Sequence, residues 1–220
     1  MQALAQQWDA QSDRRAIFLK CYLLMTHNML AALSAGEFHD TDWVHALLDR
    51  FAGYYFTALE AFEQRSPTTP AVWQVAHGAA HLPQTMSLQH LFLGINAHIN
   101  YDLVLALAVM LEPEWDHLAD EQRAQRHADF CYVNHVIGQT IDAVQERVID
   151  PISPGIEVMD MLMRPVDDWV ASHLIIHWRD KVWQHVVTWL TIHEPATREG
   201  LRKQIEADTL HLSHLILLER

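Results

Sequence analysis

Along this chain apolar residues recur at three- and four-residue intervals, in long stretches broken by prolines, which is the periodicity of one-sided helices. The pattern predicts an all-α protein with helices over 2–11, 13–34, 41–64, a short one ending at 80, then 87–111, 120–149, a short one at 156–163, 167–193 and 196–218. Ser12 or Asp13, and Asp40 or Thr41, stand where helix caps belong, and Gly36 is placed as a stop. The eight prolines all fall at joints. No repeat and no Gly/Ser-rich linker divides the chain, so the expectation is one domain, 1–220, a bundle of seven to nine helices around a central buried one at 87–111.

That central stretch is mostly apolar, yet it holds His90, Asn96, His98, Asn100 and Asp102. Buried polar groups need partners, because leaving one unpaired costs about 1–3 kcal/mol. At about 100° per residue, Asn96 pairs with Asn100 and His98 with Asp102 on nearly opposite sides. One pair is expected to tie helices together while the other faces a site. His90 lies two turns, about 12 Å, before His98, too far for both to bind one ion.

The other helices place few polar groups inward. Thr26 falls at the centre of the face made by Phe18, Leu19, Tyr22, Leu23, Met29, Leu30 and Leu33. Tyr54 and Tyr55 lie on or beside the face of Val44, Leu47, Phe51, Ala58 and Phe62. In 120–149 the predicted buried stripe is Phe130, Val133, Ile137, Ile141, Val144 and Val148, with Asn134 on its shoulder and Gly138 permitting a close approach. His135, Gln139, Asp142 and Glu146 fall on the opposite, solvated side. In 167–193 Arg179 stands amid Ser172, Ile175, Ile176, Val182, Trp183, Val186, Val187 and Leu190, whereas His173, His177 and His185 flank or oppose that face. A guanidinium cannot shed its charge, so a buried one needs a carboxylate or an anionic ligand.

Charge narrows the function classes. Fifteen Lys and Arg against 28 Asp and Glu give −13, which repels phosphate backbones and anionic bilayers, so neither nucleic acid nor membrane is an expected partner. The longest uninterrupted apolar run, 103–111, is far short of the ~20 residues of a spanning helix, and the N-terminus lacks a basic segment before an apolar core. A soluble, cytoplasmic protein is expected. Cys21 and Cys131 lack metal-type spacing and read as reduced packing residues. His211, His214 and the apolar run 215–218 make the last helix an amphipathic element through which a homodimer could form.

Three functions compete. In the leading one a buried polar pocket acts on a small, anionic or polar organic molecule: His98, oriented by Asp102, is the acid/base, Arg179 holds an anionic oxygen, and Asn134 and Tyr55 donate hydrogen bonds. Tyr22, Thr26, Asn96, Asn100 and Trp183 complete the expected binding set. In the second, His98 and Asp102 ligate a divalent metal of the zinc type in a hydrolase. No cofactor is otherwise indicated. In the third the protein is not an enzyme, and Arg179 pairs with Asp102 or another acid to fix helix register.

The run LFLGINAHINYDL at 91–103 resembles the signature of a bacterial all-α family of unknown function, the domain family numbered 5995. FAGYYFTAL at 51–59, AVW at 71–73, DFCYVN at 129–134 and RDKVW at 179–183 resemble it too. The resemblance spans roughly residues 16–190. It places the family's recurrent residues at Tyr55, Asn96, His98, Asn100, Asp102, Asn134, Arg179 and Trp183, and implies a helical fold with a shared polar centre rather than a reaction. The H-x-x-x-D pair is also similar to helices of zinc-dependent phospholipase C and nucleases, whose full ligand set this chain lacks.

Overall fold

The computed structural model describes the backbone of residues 1–152 and 169–218 and all their side chains except those of 169–173. The helix expected at 156–163, and the side chains of Ser172 and His173, lie outside the described residues. Among the described residues the protein is an all-α bundle of eight helices without strands. They are α1 (Gln2–Ala10), α2 (Ala16–Ser34), α3 (Thr41–Glu63), α4 (Ala71–Gly78), α5 (Ser87–Leu111), α6 (Asp120–Val144), α7 (Trp169–Thr191) and α8 (Pro195–Leu217). Short 3₁₀ turns follow α4 and precede α6.

Local chemistry sets the ends. Asp40 caps α3 by accepting the Trp43 N–H at 2.9 Å, and Asp129, buried on α6, clamps the same corner by accepting the His39 and Asp40 N–H groups at 2.7 and 2.9 Å. Gly36, at φ +72°, ends α2: the Glu37 N–H returns to the Ala32 carbonyl at 3.2 Å, a closure that needs the left-handed backbone glycine adopts without strain. α2 begins at Ala16 rather than at the Ser12/Asp13 cap, since Asp13 instead accepts the Arg15 N–H and pairs with its guanidinium.

α5 is the axis. Its first half packs on α2, α4 and α8 and its second on α3 and α7, so nearly all of it is buried, Val109 being its exposed apolar residue. Leu93, Ala97, Val104, Ala106, Leu107 and Leu111 are inaccessible to solvent. By length and composition Ala16–Ser34 and Ser87–Leu111 could each cross a membrane, which the search for an unbroken apolar run overlooked because polar residues interrupt both. In the fold 72 % of the second helix's most apolar window is buried against the other helices, and 44 % of the first's.

Gly94 marks the closest approach of α2 to α5. A Cβ there would fall 2.3 Å from Phe18 Cγ and 2.8 Å from Phe18 Cβ, and an atom at the root of a side chain cannot swing away. Alanine in a helix ordinarily gains up to about 1 kcal/mol over glycine. Here Gly94→Ala is expected to destabilise by about 1–3 kcal/mol, because the helices must part. Urea unfolding measures this, and a stabilised variant would show the contact to be slack.

Two π turns depart from ordinary helix. One, His98–Asp102, interrupts α5, and the other, Gln145–Ile149, continues α6. Such turns concentrate at functional sites because the extra residue re-aims the side chains around it.

The predicted faces largely hold, with informative exceptions. Leu30 is 41 % exposed, since α2 turns its neighbouring edge to α6, where Asn28 donates to Thr140 Oγ1 at 2.8 Å. On α6 the buried contacts are Phe130, Val136 and Thr140, while most of the expected stripe (Val133, Ile137, Ile141 and Val144) is only half-buried. Gly138 admits nothing close, for a Cβ there would meet no atom within 4 Å. That half of α6 faces open space inside the bundle.

Candidate functional site

The space is a cavity of about 930 Å³ bounded, among the described residues, by α2, α3, α5, α6 and α7. It is at the upper end of the range that holds drug-sized ligands. Phe130, Val133, Ile137, Ile141 and Val144 form its α6 wall, which is why that apolar stripe lacks a helix partner. Both π turns border it, through His98 and Gln145. Tyr22, Thr26, His98, Thr140 and Arg179, with Asp142, Gln145 and Asp150 at the far end of α6, supply polar groups on an otherwise mainly apolar lining. Cys21 is on the wall as well, but burial pushes its thiol up to about 12, so it is no nucleophile.

His98 is held on every side. Nδ1 lies 3.0 Å from Asp102 Oδ2, and the Trp73 indole N–H donates to both Asp102 oxygens at 3.1 and 3.0 Å. The Phe51 ring stacks on the imidazole at 3.6 Å and 6°, and Tyr22 meets it edge-on at 4.6 Å. Phe18, Tyr55 and Trp73 close the cage at 5.9, 5.9 and 6.2 Å. A carboxylate already accepting the indole N–H also accepts from Nδ1–H, which leaves the lone pair on Nε2. Nε2 is buried and, among the described residues, has no hydrogen-bond partner.

Electrostatics keeps this imidazole neutral. Burial lowers the His98 pKa, opposed by the hydrogen bond and charge of Asp102. Burial likewise raises that of Asp102, against its bonds to His98 and Trp73. The phenols of Tyr22 and Tyr55 are also raised by burial and stay protonated, each with its hydroxyl buried and unpartnered.

Arg179 is 4 % exposed. Its Nε donates to Asn134 Oδ1 at 2.7 Å and its Nη2 to the Phe130 carbonyl at 2.6 Å. The guanidinium lies over the Phe130 ring at 4.2 Å. Burial draws its pKa down to about 10, so it remains charged at neutral pH. Among the described residues it makes no ion pair, with Asp102 or any other acid. Arg179 and Asp102 therefore do not pair, and among the described residues the Arg–Asp core considered from sequence is not formed.

The expected site residues divide into three groups. His98, Arg179, Tyr22 and Thr26 meet at the cavity wall, Thr26 returning its hydroxyl to the Tyr22 carbonyl at 2.8 Å. Asp102, Tyr55 and Asn134 stand one layer behind, supporting those on the wall. Asn96, Asn100 and Trp183, expected to bind substrate, are spent elsewhere. Asn96 is inaccessible and donates to the Thr209 carbonyl at 2.9 Å and to Ser213 Oγ at 3.0 Å, while Asn100 donates to Asn96 Oδ1 at 2.8 Å, which ties α5 to α8. Trp183 packs on Phe130, His127 and Trp115. Trp73 was missed as a site residue, although the AVW segment contains it, because an indole on an apolar face gives no sign of an acid beneath it.

Among the described residues the metal alternative finds too few donors. Among the described residues no group of three His, Cys, Asp or Glu side chains could hold an ion, whereas a catalytic zinc needs three protein ligands. His135, Gln139 and Glu146 are exposed, with His135 and Gln139 bonded to each other at 2.8 Å, and His177 is exposed too.

No curated protein and no solved structure matches the chain. The segments that resemble the family's motifs meet at one place: Phe51 and Tyr55 around the imidazole, Trp73 beneath Asp102, and Phe130 and Asn134 around Arg179. The family model of DUF5995, a family of unknown function, matches residues 1–219, and the chain belongs to that family.

Proposed function

We propose that the protein is a small-molecule enzyme whose substrate occupies the cavity and whose acid/base is His98. The observation that carries this is the His98 Nε2: a lone pair buried and unpartnered among the described residues, on a side chain that lines a large cavity, with the opposite ring nitrogen fixed by an acid that is itself fixed by an indole. Leaving an acceptor unpaired costs about 1–3 kcal/mol; His77 and His90 share that state, but of the three only His98 lines the cavity, where a ligand's proton can meet it. The geometry is that of a base and its orienting group, and a buried neutral imidazole is in the form that can take a proton. The Tyr22 hydroxyl, also unpartnered, is a donor for charge that develops on the substrate.

The test begins with a panel of ketones, esters and carboxylates screened for a rise in melting temperature and for turnover. His98→Gln keeps a polar group of similar reach but cannot act as a base. It is expected to retain binding and to lose about 10²–10⁴-fold in turnover. Turnover at the wild-type rate in that variant would overturn the assignment.

A further inference from the structure

Arg179 points to the class of substrate. We infer that the cavity takes an apolar molecule bearing one anionic group, in the simplest case an aliphatic carboxylate, with the anion on Arg179 and the body along the α6 wall. The inference rests on the cavity's being a ligand site, as proposed above.

Four observations support it. The guanidinium is on the cavity wall and almost inaccessible to bulk solvent. Both its hydrogen-bond partners, the Asn134 amide and the Phe130 carbonyl, are neutral, so among the described residues no acid is bonded to the guanidinium, and the neighbouring Asp180 acts on it only at a distance. Only Nε and Nη2 are engaged, which leaves Nη1 with its N–H donors free, and a guanidinium fork suits a carboxylate. A buried charge without a counter-charge is costly, and an anionic ligand removes that cost. Met25, Leu47, Phe92 and Ile95, across from the α6 stripe, fit an apolar body, while the acids on the lining, Asp142 and Asp150, stand with Gln145 at the C-terminal end of α6 and in the π turn after it. The chain as a whole carries −13, so general attraction does not bring anions here. Affinity for an anion must come from a placed cation such as this one.

Isothermal titration with dodecanoate, dodecanol and dodecyltrimethylammonium, all below their aggregation limits, tests this. Dodecanoate is expected to bind about ten- to a hundredfold more tightly than dodecanol, the difference made by a charge-assisted bond, and the cation not measurably. Arg179→Met should abolish the preference for dodecanoate while dodecanol still binds, and Arg179→Lys should keep part of it. If Arg179→Met does not fold, the wild-type ratio of dodecanoate to dodecanol decides. Equal binding of the two by the wild type would overturn the anion site and leave the cavity reading intact. If no probe binds the wild type, both fall. Ile137→Trp, which fills the cavity from its α6 side, is expected to block all binding, and undiminished binding would place the probes elsewhere and overturn the inference.

Discussion

Acidification from pH 6.5 to 4 is expected to unfold this protein steeply, with a slope in stability of about 3 kcal/mol per pH unit. His77 and His90 are 3 % and 5 % exposed, and the Nε2 of each is buried without a partner. Burial, helped by the Arg15 charge for His77 and the Arg14 charge for His90, lowers them from 6.5 to about 3 and about 4. Both imidazoles are therefore neutral when folded through a range where the unfolded chain protonates them. Where the unfolded state binds more protons, stability falls with falling pH. The stabilisation is complete above pH about 6.5, erodes below it, and is lost as pH falls through the folded values. Each proton taken up is worth about 1.4 kcal/mol per pH unit. Against a total of about 5–15 kcal/mol, two such groups bring the transition well above pH 3.

The His98–Asp102 pair adds less to this slope, because its two shifts oppose each other, with the imidazole lowered and the carboxylate raised. Asp13 and Asp40, held below the usual carboxylate range by Arg15 and by the Trp43 N–H respectively, act in the same direction as the histidines, but only below about pH 4. His77→Phe isolates the effect: it keeps the ring stacked on Trp73 at 4.8 Å and removes the titration. The slope should fall by about half, read from urea midpoints between pH 6.5 and 4. An unchanged slope would mean that water reaches His77 and that burial does not hold it neutral.

The architecture was legible because periodicity and prolines suffice for helices: the described helix ends lie within three residues of those predicted, except that α6 gives way at Val144 to the π turn that carries it to Ile149, and 87–111 is the buried axis. The two sides of that axis were also legible, since Asn96 and Asn100 do tie α5 to α8 while His98 and Asp102 face the aromatic cage. A wheel reports direction but not what lies opposite. It therefore read the stripe on α6 as a packed core, when five of its members line a cavity. It also could not tell which pair was for ligand and which for structure, so Asn96 and Asn100 were assigned to both.

Arg179 illustrates the same limit from the other side. Its central position on an apolar face showed that it would be buried. Its partner, an amide and a carbonyl from α6 in place of a carboxylate, depends on how α7 seats against α6, which no local pattern encodes. The π turns are likewise invisible in the chain. They arise where tertiary contacts reward an extra residue per turn, and both border the cavity.

Asp102→Asn is expected to reverse the imidazole it supports. In the native protein the carboxylate, with the Trp73 N–H on both its oxygens, can only accept from His98, so Nδ1 carries the proton and Nε2 the lone pair. An asparagine would give its oxygen to Trp73 and turn its amide N–H to Nδ1, and the proton would move to Nε2. The side chains are nearly equal in size, so the cage stays packed around a base that has become a donor. By the reasoning that applies to any acid–His orienting pair, turnover should fall by about 10³–10⁴-fold. Ring-nitrogen NMR shifts of His98 report the tautomer directly and need no substrate. A proton on Nδ1 in the wild type and on Nε2 in the variant is the expected result. If Nε2 is protonated in both, Asp102 does not set the tautomer, and the wild-type imidazole faces the cavity as a donor, not as a base.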